Sequence, residues 1–154
     1  MAAIIEDYQP KYRAAFRSLN EEWISAYFEV EEADRKSLEH PQEYILNRGG
    51  FIFVAVLDDE PVGVCALVKR DDLDAYELAK MAVSPKAQGK KIGFLLSQTA
   101  IAKARSLNAS RVYLESNTKL VPAIRLYEKL GFVRVAGLPS PYARVNIQME
   151  LKLK

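Results

Sequence analysis

Residues 76–132 read YELAKMAVSPKAQGKKIGFLLSQTAIAKARSLNASRVYLESNTKLVPAIRLYEKLGF, and this stretch decides the fold. An apolar strand at 76–83 runs into a basic turn that contains glycine. The apolar stripe over 92–107 predicts a helix, and the alternation over 111–115 predicts a half-buried strand. The pattern over 122–130 predicts a second helix, which Gly131 would end as a left-handed cap. This order predicts a site for a phosphate-bearing ligand between two strands that diverge.

The segments on either side of this stretch add helices and hairpin strands. Pro10 opens a helical pattern that continues to Trp23, and Pro41 starts a short helix that a glycine pair at 49–50 ends. The remaining predicted strands are 3–5, 51–57, 62–68, 132–135 and 144–153. Because hairpins come first and helices separate the later strands, we expect an α/β fold of mixed α+β type, with helices packed on a mixed sheet.

Length and composition limit the possible functions. The 154 residues predict a single domain, 1–154, and the net charge of +2 without a long basic run makes nucleic acid an unexpected partner. No apolar stretch approaches the ~20 residues that span a bilayer, so no membrane partner is expected. The start of the chain does not resemble a secretory signal, and the lone Cys65 favours a reducing, cytoplasmic location. One histidine and one cysteine predict no zinc or redox-metal site.

The turn after the first strand has the features of a phosphate site. Residues 84–93 read SPKAQGKKIG, with three lysines and two glycines at the start of the predicted helix. The N-terminus of a helix offers unpaired N–H groups and a positive dipole to an anion, and glycine allows close approach. A solvated basic helix start is the alternative. The Gly-Lys-Ser/Thr ending of a P-loop and the Gly-x-Gly-x-x-Gly of a dinucleotide fold are both missing.

The stretch 76–132 resembles the acyl-CoA core of the GNAT N-acetyltransferase superfamily, in its bacterial-type, single-domain form. The resemblance rests on Gln88, Gly89 and Gly93 in the turn, on Asn117 after the second strand, and on the ending at 126–132. It implies a largely antiparallel central sheet of about seven strands, with a splayed pair in the middle and about four flanking helices. Lys91 departs from the family pattern because it stands where the middle glycine belongs.

The resemblance implies acetyl-CoA as the cosubstrate, lying in the slot between the splayed strands. Met81, Ala82 and Val83 would hold the pantetheine arm through their backbone. The implied contacts around the phosphates are Gln88, Gly89, Lys90, Lys91, Ile92, Gly93 and Phe94. Asn117, Ala123 and Tyr127 complete the implied set.

The resemblance also implies direct attack of an amine on the thioester through a tetrahedral intermediate. Glu77 would be the base, acting through water, and Tyr127 the acid that protonates the CoA thiolate. Each has an ordinary alternative, since Glu77 fits a polar strand position and Tyr127 fits an aromatic core. A covalent route through Cys65 is disfavoured because that residue lies in an apolar run without a nearby histidine.

The acceptor stays open at this point. The family's acceptor wall would contain Trp23, Tyr27 and Phe28, with Tyr142 and Arg144 from the segment before the last strand. The acidic residues between 21 and 34 favour a cationic amine, whereas an arginine favours a carboxylate. A small-molecule or peptide amine is expected, and the fold allows a homodimer. A non-catalytic acyl-CoA-binding module is the alternative to an enzyme, and Lys91 favours it.

Overall fold

The computed structural model describes residues 2–136 and 139–154. The helices are α1 (Arg13–Tyr27), α2 (Glu32–Glu39), α3 (Pro41–Tyr44), α4 (Ile92–Ser106) and α5 (Val121–Lys129). The strands are β1 (Ile4–Asp7), β2 (Phe51–Leu57), β3 (Glu60–Arg70), β4 (Ala75–Val83), β5 (Arg111–Ser116), β6 (Val133–Val135) and β7 (Ile147–Lys152). Among the described residues, no helix is long and apolar enough to cross a membrane.

All seven strands form one mixed sheet in the order β1-β2-β3-β4-β5-β7-β6. Every neighbouring pair is antiparallel except β4 and β5, which the α4 crossover joins in parallel. The predicted fold class is therefore confirmed. Five α-helices are described where about four were expected, because α2 (Glu32–Glu39) adds to the four predicted helical segments.

Helices cover both faces of the sheet and divide the core into two clusters. On one face, Leu96 and Ala100 of α4 pack with Tyr127 of α5 against the sheet. On the other face, Phe16 and Ile24 of α1 pack with residues of α2 and the segment after α3. Apolar side chains on both faces explain why the central strands read as nearly continuous apolar runs.

Helix α2 and the start of β7 differ from the sequence prediction by more than the usual shift of a residue or two at element ends. Helix α2 was not predicted, because it contains few apolar residues and begins with a capping box in which Glu31 and Asp34 are the capping side chains. Strand β7 begins at Ile147 instead of 144, because Asn146 turns toward the end of β5. The backbone N–H of Asn146 donates to Ser116 O at 3.0 Å, and its Oδ1 accepts from the N–H of Thr118 at 2.9 Å.

A β-bulge interrupts β4 close to the middle of the sheet. Val64 pairs with Ala82 and Ala66 pairs with Ala79, so two residues of β4 stand opposite Cys65. One of them, Lys80, has φ of +53°, in the left-handed region. A bulge re-aims the side chains around it, and here it turns Lys80 toward α2.

Candidate active site

A gap between β4 and β5 opens into a cavity. The two strands pair only at Tyr76 with Val112 and at Glu77 with Tyr113, and they separate beyond this point. The resulting cavity has a volume of about 920 Å³ and extends from the turn before α4 to the residues after α3. This is the slot that the sequence resemblance implied.

The turn before α4 has the geometry of an anion site. The first backbone bond of the helix runs from the N–H of Leu95 to Lys91 O, so the N–H groups of Ile92, Gly93 and Phe94 have no helical carbonyl to bond. All three residues line the cavity. A Cβ built on Gly89 would meet no atom within 4 Å, so the turn is open at this residue, which also lines the cavity. The residues present therefore suit the pyrophosphate of a CoA molecule.

Lys91, which stands where the family pattern has a glycine, has a left-handed backbone conformation. Its φ is +58° and it is the N-cap residue of α4. A left-handed conformation is unfavourable for a residue with a Cβ and favourable for glycine. The lysine therefore adds a cation to the cavity wall at a position whose backbone suits glycine better.

Tyr127 lies at the cavity on the α4–α5 face of the sheet. The side chain is nearly buried, and no group among the described residues forms a hydrogen bond with its Oη. Burial, with a smaller effect of the nearby Cys65, raises the pKa of Tyr127 to about 12. The hydroxyl is therefore neutral at physiological pH and free to donate into the cavity.

The end of α5 fixes the position of Tyr127. The N–H of Phe132 donates to Tyr127 O, and the N–H of Gly131 donates to Glu128 O, both at 3.0 Å. With φ of +102° at Gly131, this is a Schellman motif, and the Phe132 ring makes its usual apolar contact. The two rings meet edge to face with centroids 5.9 Å apart. The glycine and phenylalanine at 131–132 thus fix the orientation of the tyrosine ring.

Glu77 reaches the cavity from the other face. Leu78 packs with α4, so the neighbouring Glu77 points to the opposite side of the strand. Arg70 Nη1 donates to its Oε1 at 2.6 Å, and its side chain is 13% exposed. Burial raises the pKa of Glu77 and Glu115 adds to this effect, while Arg70 and Lys80 oppose it. The balance is a carboxylate that binds a proton more readily than an ordinary glutamate.

A second carboxylate, Glu115, lines the cavity near Glu77 on the adjoining strand. Tyr113 Oη donates to its Oε2 at 2.8 Å and Ser140 Oγ to its Oε1 at 2.9 Å. Both oxygens are therefore engaged. This leaves Glu115 as a fixed negative charge beside Glu77.

Asn117 holds two loops together at the edge of the cavity. Its Nδ2 donates to Arg144 O at 2.7 Å, and its Oδ1 accepts from the N–H of Lys119 at 2.8 Å. Leu120 is the N-cap residue of α5, three positions after Asn117. One Nδ2 hydrogen remains for a ligand.

An ion cluster lies at the cavity, with Lys80 and Arg144 in its lining. Asp34 of α2 is fully buried and accepts from Lys80 Nζ at 2.9 Å and from Arg144 Nη1 and Nη2 at 2.7 and 2.8 Å. Burial opposes the charge of Asp34, but the bonds to Arg144 and Lys80 prevail and lower its pKa to about 2. Glu31 accepts a further bond from Arg144 at 3.2 Å. The cluster connects α2, the bulge of β4 and the loop before β7.

Comparison with known proteins agrees with this architecture. The family model described as "Acetyltransferase (GNAT) family" matches residues 12–132. The chain belongs to the GNAT acetyltransferase family. Acetyl-CoA is the cosubstrate.

The sequence relatives are longer proteins. The human N-acetylaspartate synthetase is 34% identical over 129 residues, which are 83% of this chain and 42% of that protein. The zebrafish (Danio rerio) protein of the same name is 37% identical over 92 residues, 60% of this chain and 33% of that protein. The chain thus spans well under half the length of these curated relatives.

A solved structure has the same GNAT fold over nearly the whole chain. The GNAT-family acetyltransferase from Staphylococcus aureus Mu50 superimposes with a TM-score of 0.89 at 24% identity, covering 99% of this chain and 100% of its own. A likeness at this identity shows the fold alone.

Most of the GNAT residues expected from sequence lie around the cavity. The predicted residues that line it are Trp23, Phe28, Glu77, Met81, Val83, Gln88, Gly89, Lys91, Ile92, Gly93, Phe94, Asn117, Ala123, Tyr127, Tyr142 and Arg144. Three predicted residues lie outside the lining: Tyr27 is 56% exposed, Lys90 is exposed, and the side chain of Ala82 is buried in the core on the α1 face. The ring of Tyr27 contacts the ring of Trp23 at a tilt, with centroids 5.9 Å apart, and of the two it is Trp23 that lines the cavity.

The acidic wall expected from the N-terminal third of this GNAT domain is not at the cavity. Among the described residues, the acidic side chains that line it are Glu77 and Glu115, and neither comes from that segment. Asp34 and Glu31 instead bind Arg144. Sequence reasoning missed the roles of Arg70, Lys80 and Asp34, because their partners are distant in the chain.

Proposed function

We propose that this GNAT domain, residues 1–154, is an acetyl-CoA-dependent N-acetyltransferase that acts on a primary amine by direct attack on the thioester. One observation carries the proposal. Glu77 and Tyr127 line a single cavity from opposite faces of the sheet, at the point where β4 and β5 separate. A base on one side and an acid on the other suit a reaction in which one proton leaves the amine and another reaches the sulfur.

The chain's own residues bind and orient the cosubstrate. Acetyl-CoA supplies the activated acetyl group when bound. The N–H groups at the start of α4 would hold its phosphates, and the backbone of Met81 and Val83 would hold its pantetheine arm. A backbone N–H at the β4 bulge would donate a hydrogen bond to the thioester oxygen.

Glu77 removes a proton from the amine through water. Amines with a pKa between about 8 and 10.4 are mostly protonated at neutral pH, so a base is needed before attack. The raised pKa of Glu77 suits it to this task, because proton transfer is most efficient when the pKa of the base is close to the working pH.

Tyr127 donates a proton or a hydrogen bond to the departing sulfur. A free thiol has a pKa of about 8.5, so with Tyr127 at about 12 the direct transfer is uphill by about 3.5 units, or about 5 kcal/mol. Burial raises the pKa of a thiol placed beside Tyr127 as well as that of the tyrosine, so the difference between the two pKa values becomes smaller. Cys65 is buried, and burial raises its pKa, which supports direct attack over a covalent route.

The acceptor is a small-molecule or peptide amine. The relatives named N-acetylaspartate synthetase support a free amino acid within this class. The free thiol of Cys65 supports a reducing, cytoplasmic location. A homodimer is part of the proposal.

Thermal unfolding with and without acetyl-CoA tests the cosubstrate site, with ATP and NAD as controls. A ligand at about 100 times its Kd stabilises by about 2.7 kcal/mol, which for a domain of this size raises the midpoint by roughly 5–10 °C. Thiol release with a panel of amines then tests turnover. A thermal shift with acetyl-CoA but no thiol release with any amine would favour the non-catalytic acyl-CoA-binding module.

A further inference from the structure

Three hydrogen-bond donors face the acceptor end of the cavity beside the β4 bulge: Lys80, Tyr142 and Arg144. We infer that they form a carboxylate-binding site, and that the acceptor is a free amino acid whose carboxylate they bind. The inference rests on the proposed function, since it specifies the acceptor of the same site.

With respect to partners among residues 2–136 and 139–154, each of the three residues has donor hydrogens left over. Lys80 Nζ donates to Asp34 and to Tyr142 Oη, both at 2.9 Å, and an ammonium has three hydrogens. Because Tyr142 Oη accepts from Lys80, its own hydrogen is available. Within the described part of the chain, Arg144 uses Nη1 and one Nη2 hydrogen on Asp34 and Glu31, which leaves Nε–H and the second Nη2 hydrogen.

The charges of the cluster are arranged with the cations toward the cavity. Lys80 and Arg144 line it, whereas Asp34 and Glu31 do not. The four formal charges cancel, so the cluster is stable without a ligand, but its positive side faces an incoming anion. The exposed fractions of the two cationic side chains, 8% for Lys80 and 15% for Arg144, reduce screening by water and strengthen this attraction.

The Tyr142 ring keeps the donors in place. Lys80 Nζ and Arg144 Cζ both lie 4.6 Å from its centroid, within the range of a cation–π contact. Together with Asp34, the ring fixes both cations before any ligand arrives. Groups that are already ordered lose little entropy when they bind.

The position of Lys80 indicates the kind of acceptor. Lys80 is part of the β4 bulge beside Met81, and both residues line the cavity that the cosubstrate would share with the acceptor. A carboxylate bound by the Lys80 ammonium would therefore lie in the same cavity as the thioester, with the amine on the adjacent carbon available for attack. A peptide N-terminus has an amide in place of that carboxylate, and a protein lysine has neither, so the site selects a free amino acid.

Paired acceptors test the inference. We would measure kcat/KM for a panel of amino acids and for the same amino acids as carboxamides, which keep the amine and the shape but lose the charge. We expect the wild type to prefer the acid at least about tenfold, which is about 1.4 kcal/mol. Lys80→Met should bring this ratio close to one, and Tyr142→Phe should lower it about threefold while keeping the ring; the ratio is used because a change in the base Glu77 affects the acid and the carboxamide alike.

Lys36→Met is the matched control, because Lys36 is an exposed lysine on α2 outside the cavity. It should keep the wild-type ratio. A ratio that stays at the wild-type value in both Lys80→Met and Tyr142→Phe would overturn the assignment. The Tyr142→Phe variant keeps the test valid if Lys80→Met does not fold.

Calorimetric titration of the same acids and carboxamides into the CoA-bound protein separates this inference from the proposed function. If carboxamides are acetylated as fast as acids, the enzyme is established and the carboxylate site is wrong. If acids bind in preference to carboxamides but no acetyl transfer occurs, the carboxylate site stands and the proposed reaction is wrong. If neither compound binds nor reacts, both are wrong.

Discussion

Replacing Asp34 by asparagine should destabilise the protein more than any surface change of the same kind. The side chain is fully buried and accepts charge-assisted bonds from Lys80 and Arg144. Its pKa is lowered from 3.8 to about 2, and one pKa unit corresponds to about 1.4 kcal/mol, which gives about 2.4 kcal/mol. Removing one partner of a buried ion pair costs about 3–5 kcal/mol. We therefore expect Asp34→Asn to lower the free energy of unfolding by about 2–4 kcal/mol.

Urea unfolding at pH 7 and in a series toward pH 2.5 measures this effect. For a domain of this size the loss corresponds to a fall in Tm of roughly 4–16 °C. The folded pKa of Asp34 is depressed, so its contribution is fully present above the unfolded value of about 4 and is lost as pH falls toward 2. The difference between wild type and Asp34→Asn should thus be constant near neutral pH and shrink below about pH 4.

Glu32→Gln provides the matched control on the same helix. Glu32 is 72% exposed and pairs only with the exposed Arg35 among the described residues, at 3.3 Å. Its replacement should change the free energy of unfolding by less than about 0.5 kcal/mol. If Asp34→Asn is no more destabilising than Glu32→Gln, or if the difference persists unchanged at pH 2.5, the ion cluster does not hold the fold together as argued.

Three further substitutions test the proposed chemistry. Tyr127→Phe should lower kcat by about 10²–10⁴ with almost unchanged acetyl-CoA affinity in a thermal-shift titration; wild-type turnover would exclude the acid role. Glu77→Gln should lower kcat/KM and remove the acidic limb of the pH profile of kcat/KM. In the wild type this limb should lie above the ordinary carboxyl pKa of 4.5, because the pKa of Glu77 is raised and the base must be deprotonated. An unchanged acidic limb in the variant would assign the limb to another group. Lys91→Gly should leave acetyl-CoA affinity intact or tighten it, since φ of +58° suits glycine better; a large loss measured by calorimetry would mean that the lysine contacts phosphate.

Local patterns predicted the elements around Tyr127 well. The glycine at 131 was expected to end α5 in the left-handed conformation, and it does so with φ of +102°. The strand predicted at 51–57 has the same bounds in the structure. These features depend on residues within a few positions of one another, so a single sequence contains the information.

The ion cluster depends on pairs that no local pattern reveals. Asp34 is separated by 46 positions from Lys80 and by 110 from Arg144. The β4 bulge that turns Lys80 toward α2 contains no glycine, so the sequence gives no local sign of it. Acidic residues in a short, polar helix are usually solvated, so a buried carboxylate in α2 could not be distinguished from its exposed neighbours.

Strands β4 and β5 pair at only two pairs of residues, so the rigidity of the sheet depends on what occupies the gap between them. The half formed by β1–β4 and the half formed by β5–β7 share few backbone hydrogen bonds, so a pantetheine arm lying between them would serve as the missing cross-link. Amide hydrogens on the open edge of β4 at Met81 and Val83 should then exchange with deuterium quickly in the free protein and slowly when CoA is present. Bound cosubstrate would in this way make the sheet that orients it more rigid. Its release after each turnover would allow the two halves of the sheet to move more freely relative to each other.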